Sequence, residues 1–156
     1  MARILVIDDD EGYRAILRDF IEEKGHTVLE ADNAADGLRI FLQEKVDLVV
    51  SDLMMPVKSG LDLLRELRQA DPKALFIMVT GYPTVDAATA SIREGAYDFL
   101  VKPVNMDQLA AVLNRALSTI ALRSNLSTMR GVNVALLLSI PFWIVVGIVV
   151  RMLLHR

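Results

Sequence analysis

Five short apolar runs punctuate the first three quarters of the chain: Ile4–Ile7, Thr27–Leu29, Leu48–Val50, Leu75–Val79 and Asp98–Val101. They are mostly continuous and not alternating, which is the pattern of strands buried on both faces of a parallel sheet. Between them, apolar residues recur at helical spacing: Ile16, Leu17, Phe20 and Ile21, then Leu61, Leu64 and Leu67, then Leu109, Val112, Leu113, Ala116 and Leu117. Gly25 reads as a helix stop, Ser59 as a helix cap, and Asn105 with Gln108 as a capping box. Five strand–helix units follow, and hence an α/β fold: a doubly wound, parallel, five-stranded sheet covered by helices on both faces.

A second pattern begins after residue 122. Val132–Val150 carries no charge, and as a helix it would span about 28 Å, close to the hydrocarbon thickness of a bilayer. With Leu153 and Leu154 added, residues 132–154 are expected to form a single transmembrane helix; the competing reading is a helix buried in an oligomer core. Pro141 near the middle is tolerated in membrane helices. Ala135, Ser139 and Gly147 share a spacing that would suit pairing with a second copy, giving a homodimer. The expected layout is a globular domain over 1–122, a basic linker over 123–131, the membrane helix over 132–154, and a tail of 155–156.

Charge sharpens that division. Every acidic residue lies at or before Asp107, whereas from residue 123 onward there are only Arg123, Arg130, Arg151 and Arg156. The body is therefore acidic, which argues against nucleic acid as a partner and favours a divalent cation. The basic linker suits anionic lipid. There is no cysteine, so thiolate chemistry is excluded. Ile4–Ile7 is too short, and too quickly followed by acids, to suggest a signal peptide.

In parallel sheets of this kind, function sits at the carboxyl ends of the strands. Asp8, Asp9 and Asp10 follow the first run, Asp52 the third, Thr80 and Gly81 the fourth, and Lys102 and Pro103 the fifth. Carboxylates crowded into one crevice repel unless a cation neutralises them, and hard oxygen ligands suit Mg²⁺. The set fits phosphoryl transfer. Asp52 would be the carboxylate nucleophile, Asp9 and Asp52 the metal ligands with Asp8 in support, and Lys102 and Thr80 the holders of phosphoryl oxygens. Any one of these residues alone is as well explained by ending a strand or capping a helix.

Ile4–Asp9, Asp52–Pro56 with Gly60, Val79–Gly81 and Phe99–Pro103 resemble the motifs of response-regulator receiver domains of two-component systems, and the resemblance covers residues 1 to about 120. Thr80–Ala88 is similar to receivers of nitrogen-regulation-type enhancer-binding proteins. The resemblance implies a flavodoxin-like (βα)₅ fold, Mg²⁺ as cofactor, and a sensor histidine kinase as phosphoryl donor to Asp52. It also implies a cis Lys102–Pro103 bond and a metal ligand from the Met54 carbonyl. Thr80 and Phe99 would be the switch residues, with Tyr97 an exposed contact. Such a domain catalyses its own phosphorylation and dephosphorylation and is otherwise not an enzyme. Lys58 reads as a solvated charge, and Met54 and Tyr82, each two residues past a site residue, as bulky groups able to screen the aspartyl phosphate. No room is left after Leu122 for the family's usual output domains. Output is therefore expected through protein contacts with a downstream partner at the cytoplasmic membrane, with the receiver facing the cytoplasm. The alternatives are a phosphoryl relay or sink for a membrane kinase, and a structural scaffold.

Overall fold

The computed structural model describes residues 1–120, Leu122 and Arg151. Five strands and five helices alternate: β1 (Arg3–Ile7), α1 (Glu11–Glu23), β2 (Thr27–Ala31), α2 (Ala34–Gln43), β3 (Leu48–Asp52), α3 (Gly60–Ala70), β4 (Leu75–Thr80), α4 (Val85–Arg93), β5 (Asp98–Val101) and α5 (106–120). The strands form one parallel sheet in the order β2-β1-β3-β4-β5. This is the expected (βα)₅ architecture. The order in which successive strands are added reverses at β1, with β2 on one side of it and β3 on the other, so the crevice between the ends of β1 and β3 is where a ligand site is expected.

Two-sided burial explains the continuous apolar runs. Leu5, Ile7, Val49, Phe76 and Met78 join one core cluster with Leu63, Leu64 and Leu67 of α3. Side chains alternate along a strand, so Ile4, Val6, Val50, Ile77 and Val79 face the other way. All are essentially fully buried, as are Leu17 and Ile21 of α1 and Leu109, Val112 and Leu113 of α5.

Caps fix where each helix starts. Asp10, Asn33, Ser59 and Thr84 each accept a backbone N–H from three residues on, opening α1 to α4. The Asn105 carboxamide oxygen accepts the N–H groups of Asp107 and Gln108 at the start of α5. Gly25, at φ +83°, takes the left-handed turn that ends α1.

Met1–Leu117 forms one compact unit, and the chain from Ser118 onward falls in a second. Among the described residues no helix is long and apolar enough to cross a membrane. The expected linker 123–131, the membrane helix 132–154 and the tail 155–156 lie outside the described residues, Arg151 excepted.

Candidate functional site

The ends of β1, β3, β4 and β5 meet at one rim of the sheet. Asp8 follows β1 and is 1% exposed, and Asp52 ends β3 and is 7% exposed. Asp9, next to Asp8, is exposed. One carboxylate oxygen from each of Asp8, Asp9 and Asp52 lies within 4.8 Å of the others. From the far end of the domain, Lys102 Nζ donates to Asp8 Oδ2 and to Asp52 Oδ2, each at 2.6 Å. The Lys102–Pro103 peptide is cis, and the Lys102 N–H is bonded to the Thr80 carbonyl at 2.8 Å.

Backbone groups hold the two buried acids from the other side. Asp8 Oδ1 accepts from the Asp10 N–H at 3.0 Å, and Asp52 Oδ1 from the Met54 N–H at 3.0 Å. Arg14 donates to the Asp8 carbonyl at 2.6 Å and pairs with Glu30 at 3.3 Å, tying the end of β1 to α1 and β2. Gly60, the first residue of α3, sits against β3 so closely that a Cβ there would lie 2.1 Å from the Asp52 carbonyl oxygen.

The electrostatics are those of a site short of positive charge. Burial pushes the Asp8 carboxyl above its ordinary range, against the opposing pull of the Lys102 hydrogen bond and the Asp10 N–H. Burial would lower the Lys102 ammonium, but its hydrogen bonds to Asp52 and Asp8 outweigh it and the net shift is upward. Lys102 is therefore firmly cationic, and a single ammonium faces three carboxylates. Clustered hard oxygens with uncompensated negative charge fit a divalent cation of the Mg²⁺ class.

The remaining expected site residues are placed as follows. Thr80 is fully buried at the end of β4, with its hydroxyl accepting the Tyr82 N–H at 3.2 Å. Phe99, paired in register with Met78, packs half-buried against the core cluster. Tyr97 is half-buried and gives its N–H to the Phe76 carbonyl. Met54 and Tyr82 stand largely in solvent, at 57% and 75% exposure, so neither is packed down as a screen in this arrangement. Lys58 is less free than its loop position suggests, being ion-paired with Glu66 of α3.

Tyr13 was not singled out from the sequence. Its ring lies beneath the Lys102 ammonium, 4.4 Å from Nζ to the centroid. The available signal was weak: Tyr13 stands one helical turn before Leu17 and shares its face, which reads as ordinary core until the crevice above it is known.

Comparison with known proteins agrees with the geometry. The family model for the response regulator receiver domain matches residues 4–114. The DNA-binding transcriptional regulator NtrC of Escherichia coli is 33% identical over 115 residues, covering 74% of this chain and 24% of NtrC. Protein PilH of Pseudomonas aeruginosa is 36% identical over 122 residues, covering 76% of this chain and 99% of PilH. A response regulator receiver domain protein of Clostridium thermocellum superposes with a TM-score of 0.75 at 36% identity, covering 78% of this chain and 98% of that one. The chain belongs to the response regulator receiver domain family. It spans about a quarter of the length of the transcriptional regulators it matches. Receiver domains take phosphate from sensor histidine kinases and bind Mg²⁺ through an acidic pocket, here Asp8, Asp9 and Asp52.

Proposed function

We propose that this receiver accepts a phosphoryl group on Asp52 from a sensor histidine kinase and converts it into a change of protein–protein contacts at a membrane. The observation that carries the reading is the bridge from Lys102 to both Asp8 and Asp52, partners 94 and 50 residues away in sequence. A purely structural cap or strand end needs no such convergence.

In the reaction, a carboxylate oxygen of Asp52 attacks phosphorus, the N–P bond of the donor phosphohistidine breaks, and the imidazole leaves. Asp8 and Asp9, together with Asp52 and the Met54 carbonyl, would hold Mg²⁺, which supplies neutralisation of the phosphoryl oxygens when bound. The Lys102 ammonium is already at the acceptor carboxylate and meets the same charge from the side of β5. Thr80, at the next strand end, offers its hydroxyl to the phosphorylated state. Its movement would open space for Phe99 and remodel the surface of α4, β5 and α5. Beyond this turnover of its own phosphoryl group, the domain carries out no enzymatic reaction.

The uncharged stretch over 132–150 supports single-pass anchoring in the cytoplasmic membrane, with Lys102 and the acids on the side where ATP-fed kinases work. Anchoring would raise the effective concentration of membrane kinases and of the downstream partner. The test is Asp52→Asn in the full chain with phosphoramidate and Mg²⁺, read by intact mass. Wild type is expected to gain one phosphoryl group and the variant none; labelling of the variant at another residue would reject the assignment.

A further inference from the structure

The Lys102 ammonium has three N–H donors and no acceptor. Two directions are taken by Asp8 and Asp52 at 2.6 Å. Another side faces the ring of Tyr13, 4.4 Å from Nζ to the centroid, within the range of a cation–π contact. Tyr13 is held at both ends. Its backbone N–H is bonded to Asp10 Oδ1 at 3.0 Å, the cap that starts α1. Its hydroxyl accepts the N–H of Val104 at 3.2 Å, just past the cis Lys102–Pro103 bond. Val104 is buried, so this N–H needs a partner, and Tyr13 supplies it from 91 residues away. Burial raises the Tyr13 hydroxyl above its ordinary range, so it stays neutral beside the acids.

We propose that Tyr13 is the positioning residue for Lys102, an aromatic seat that keeps the ammonium in the cleft when its carboxylate partners are engaged elsewhere. Both of those partners are groups the reaction occupies. Asp52 takes the phosphoryl group, and Asp8 is one of the acids facing the divalent cation. Cation binding would draw Asp8 and Asp52 away from Lys102 before any phosphoryl oxygen arrives to replace them, and in that interval the flexible stem would otherwise let the head swing into solvent. The ring contact depends on neither carboxylate. The kinetic part of this inference rests on Asp52 being the phosphoryl acceptor; the seat itself does not.

The experiment compares wild type, Tyr13→Phe, Tyr13→Leu and Tyr13→Met in the full chain at one fixed pH. The first readout is the rate at which N-hydroxysuccinimidyl acetate acylates Lys102, relative to exposed Lys45, by peptide mass spectrometry. Without metal, and again with Mg²⁺ alone to engage the carboxylates, wild type and Tyr13→Phe are expected to protect Lys102. Tyr13→Leu and Tyr13→Met are expected to raise its relative acylation by about 2- to 30-fold, the range a cation–π contact spans. The second readout is the rate of Asp52 phosphorylation by phosphoramidate, expected to fall within the same range for Leu and Met and to stay near wild type for Phe. A fold defect would also expose Lys102, but together with Lys58, which the fold holds against Glu66; the rise at Lys102 is expected with Lys58 unchanged, and a rise at Lys102 only in step with Lys58 overturns the proposal. Equal Lys102 protection in all four proteins overturns the proposal, as does a Phe variant as reactive as Leu. If wild type itself takes no phosphoryl group, the proposed function fails, while the acylation ratios still decide the seat.

Discussion

Asp8 is a residue whose burial costs the fold something. Its carboxyl is held above the ordinary 3.8 by burial, so the folded state binds a proton there more tightly than the unfolded chain does. The sign follows directly. Below 3.8 both states are protonated and there is no penalty; as pH rises through the raised folded value, ionising Asp8 increasingly disfavours the fold. Without divalent cation, Asp8→Asn is therefore expected to be more stable than wild type at neutral pH, with the difference vanishing below the ordinary carboxylate range. Urea unfolding at several pH values measures this. Saturating Mg²⁺ should favour wild type instead, by about 2.7 kcal/mol at one hundred times its dissociation constant. At this scale much of the site was readable from the chain. Asp8, Asp52, Thr80 and Lys102 each follow an apolar run, and a parallel sheet sends all those ends to one rim. What pattern could not show was direction: that the Thr80 hydroxyl turns to the Tyr82 N–H, or that Tyr13 lies under Lys102. Both depend on where a neighbouring element passes, and spacing along the chain does not encode that.

Among the elements, β3 and α3 meet with no room to spare at Gly60. A Cβ on Gly60 would meet the Asp52 carbonyl oxygen at 2.1 Å, the Asp52 carbonyl carbon at 3.0 Å and Leu53 Cα at 3.1 Å. All three obstacles are backbone, so no rotamer change relieves them. Gly60→Ala is expected to cost about 1–3 kcal/mol of stability, as overpacking does. It should also slow phosphoryl transfer by at least roughly tenfold by displacing Asp52, since small misplacements of reacting groups are expensive. Denaturation midpoints and labelling kinetics read the two effects separately. The strands were legible to within two residues at each end; β2 and β3 run two residues past their apolar cores, to Ala31 and Asp52, where Glu30 and Ser51 break the apolar pattern. The helices were uneven. α1, α3 and α5 announced themselves through leucine and isoleucine at helical spacing, whereas α4 buries only Ser91 and exposes Val85 and Ile92. A helix with so little inward apolar surface leaves no stripe to find, and its place followed from the βα alternation alone.

For the whole molecule, the contrast between an acidic body and a basic, uncharged-cored tail carries the last expectation. Deleting residues 131–156 is expected to move the protein from the membrane fraction to the soluble one while leaving phosphorylation of Asp52 intact. Fractionation with and without the deletion checks it, and retention of the shortened chain on membranes would remove the anchor from the account. The fold itself is unambiguous at this scale: order β2-β1-β3-β4-β5, all parallel, with each strand joined to the next in sequence through a helix.

That order has a consequence for synthesis. The ribosome makes Asp8 and Asp52 well before Lys102, because the lysine follows the last strand. A domain generally folds as a unit. A nascent chain holding β1 through β4 would thus carry its anionic cluster with no counterion of its own, and the arrival of β5 both completes the sheet and delivers the neutralising group. Closing the edge of the sheet and quieting the charge at its rim are one event.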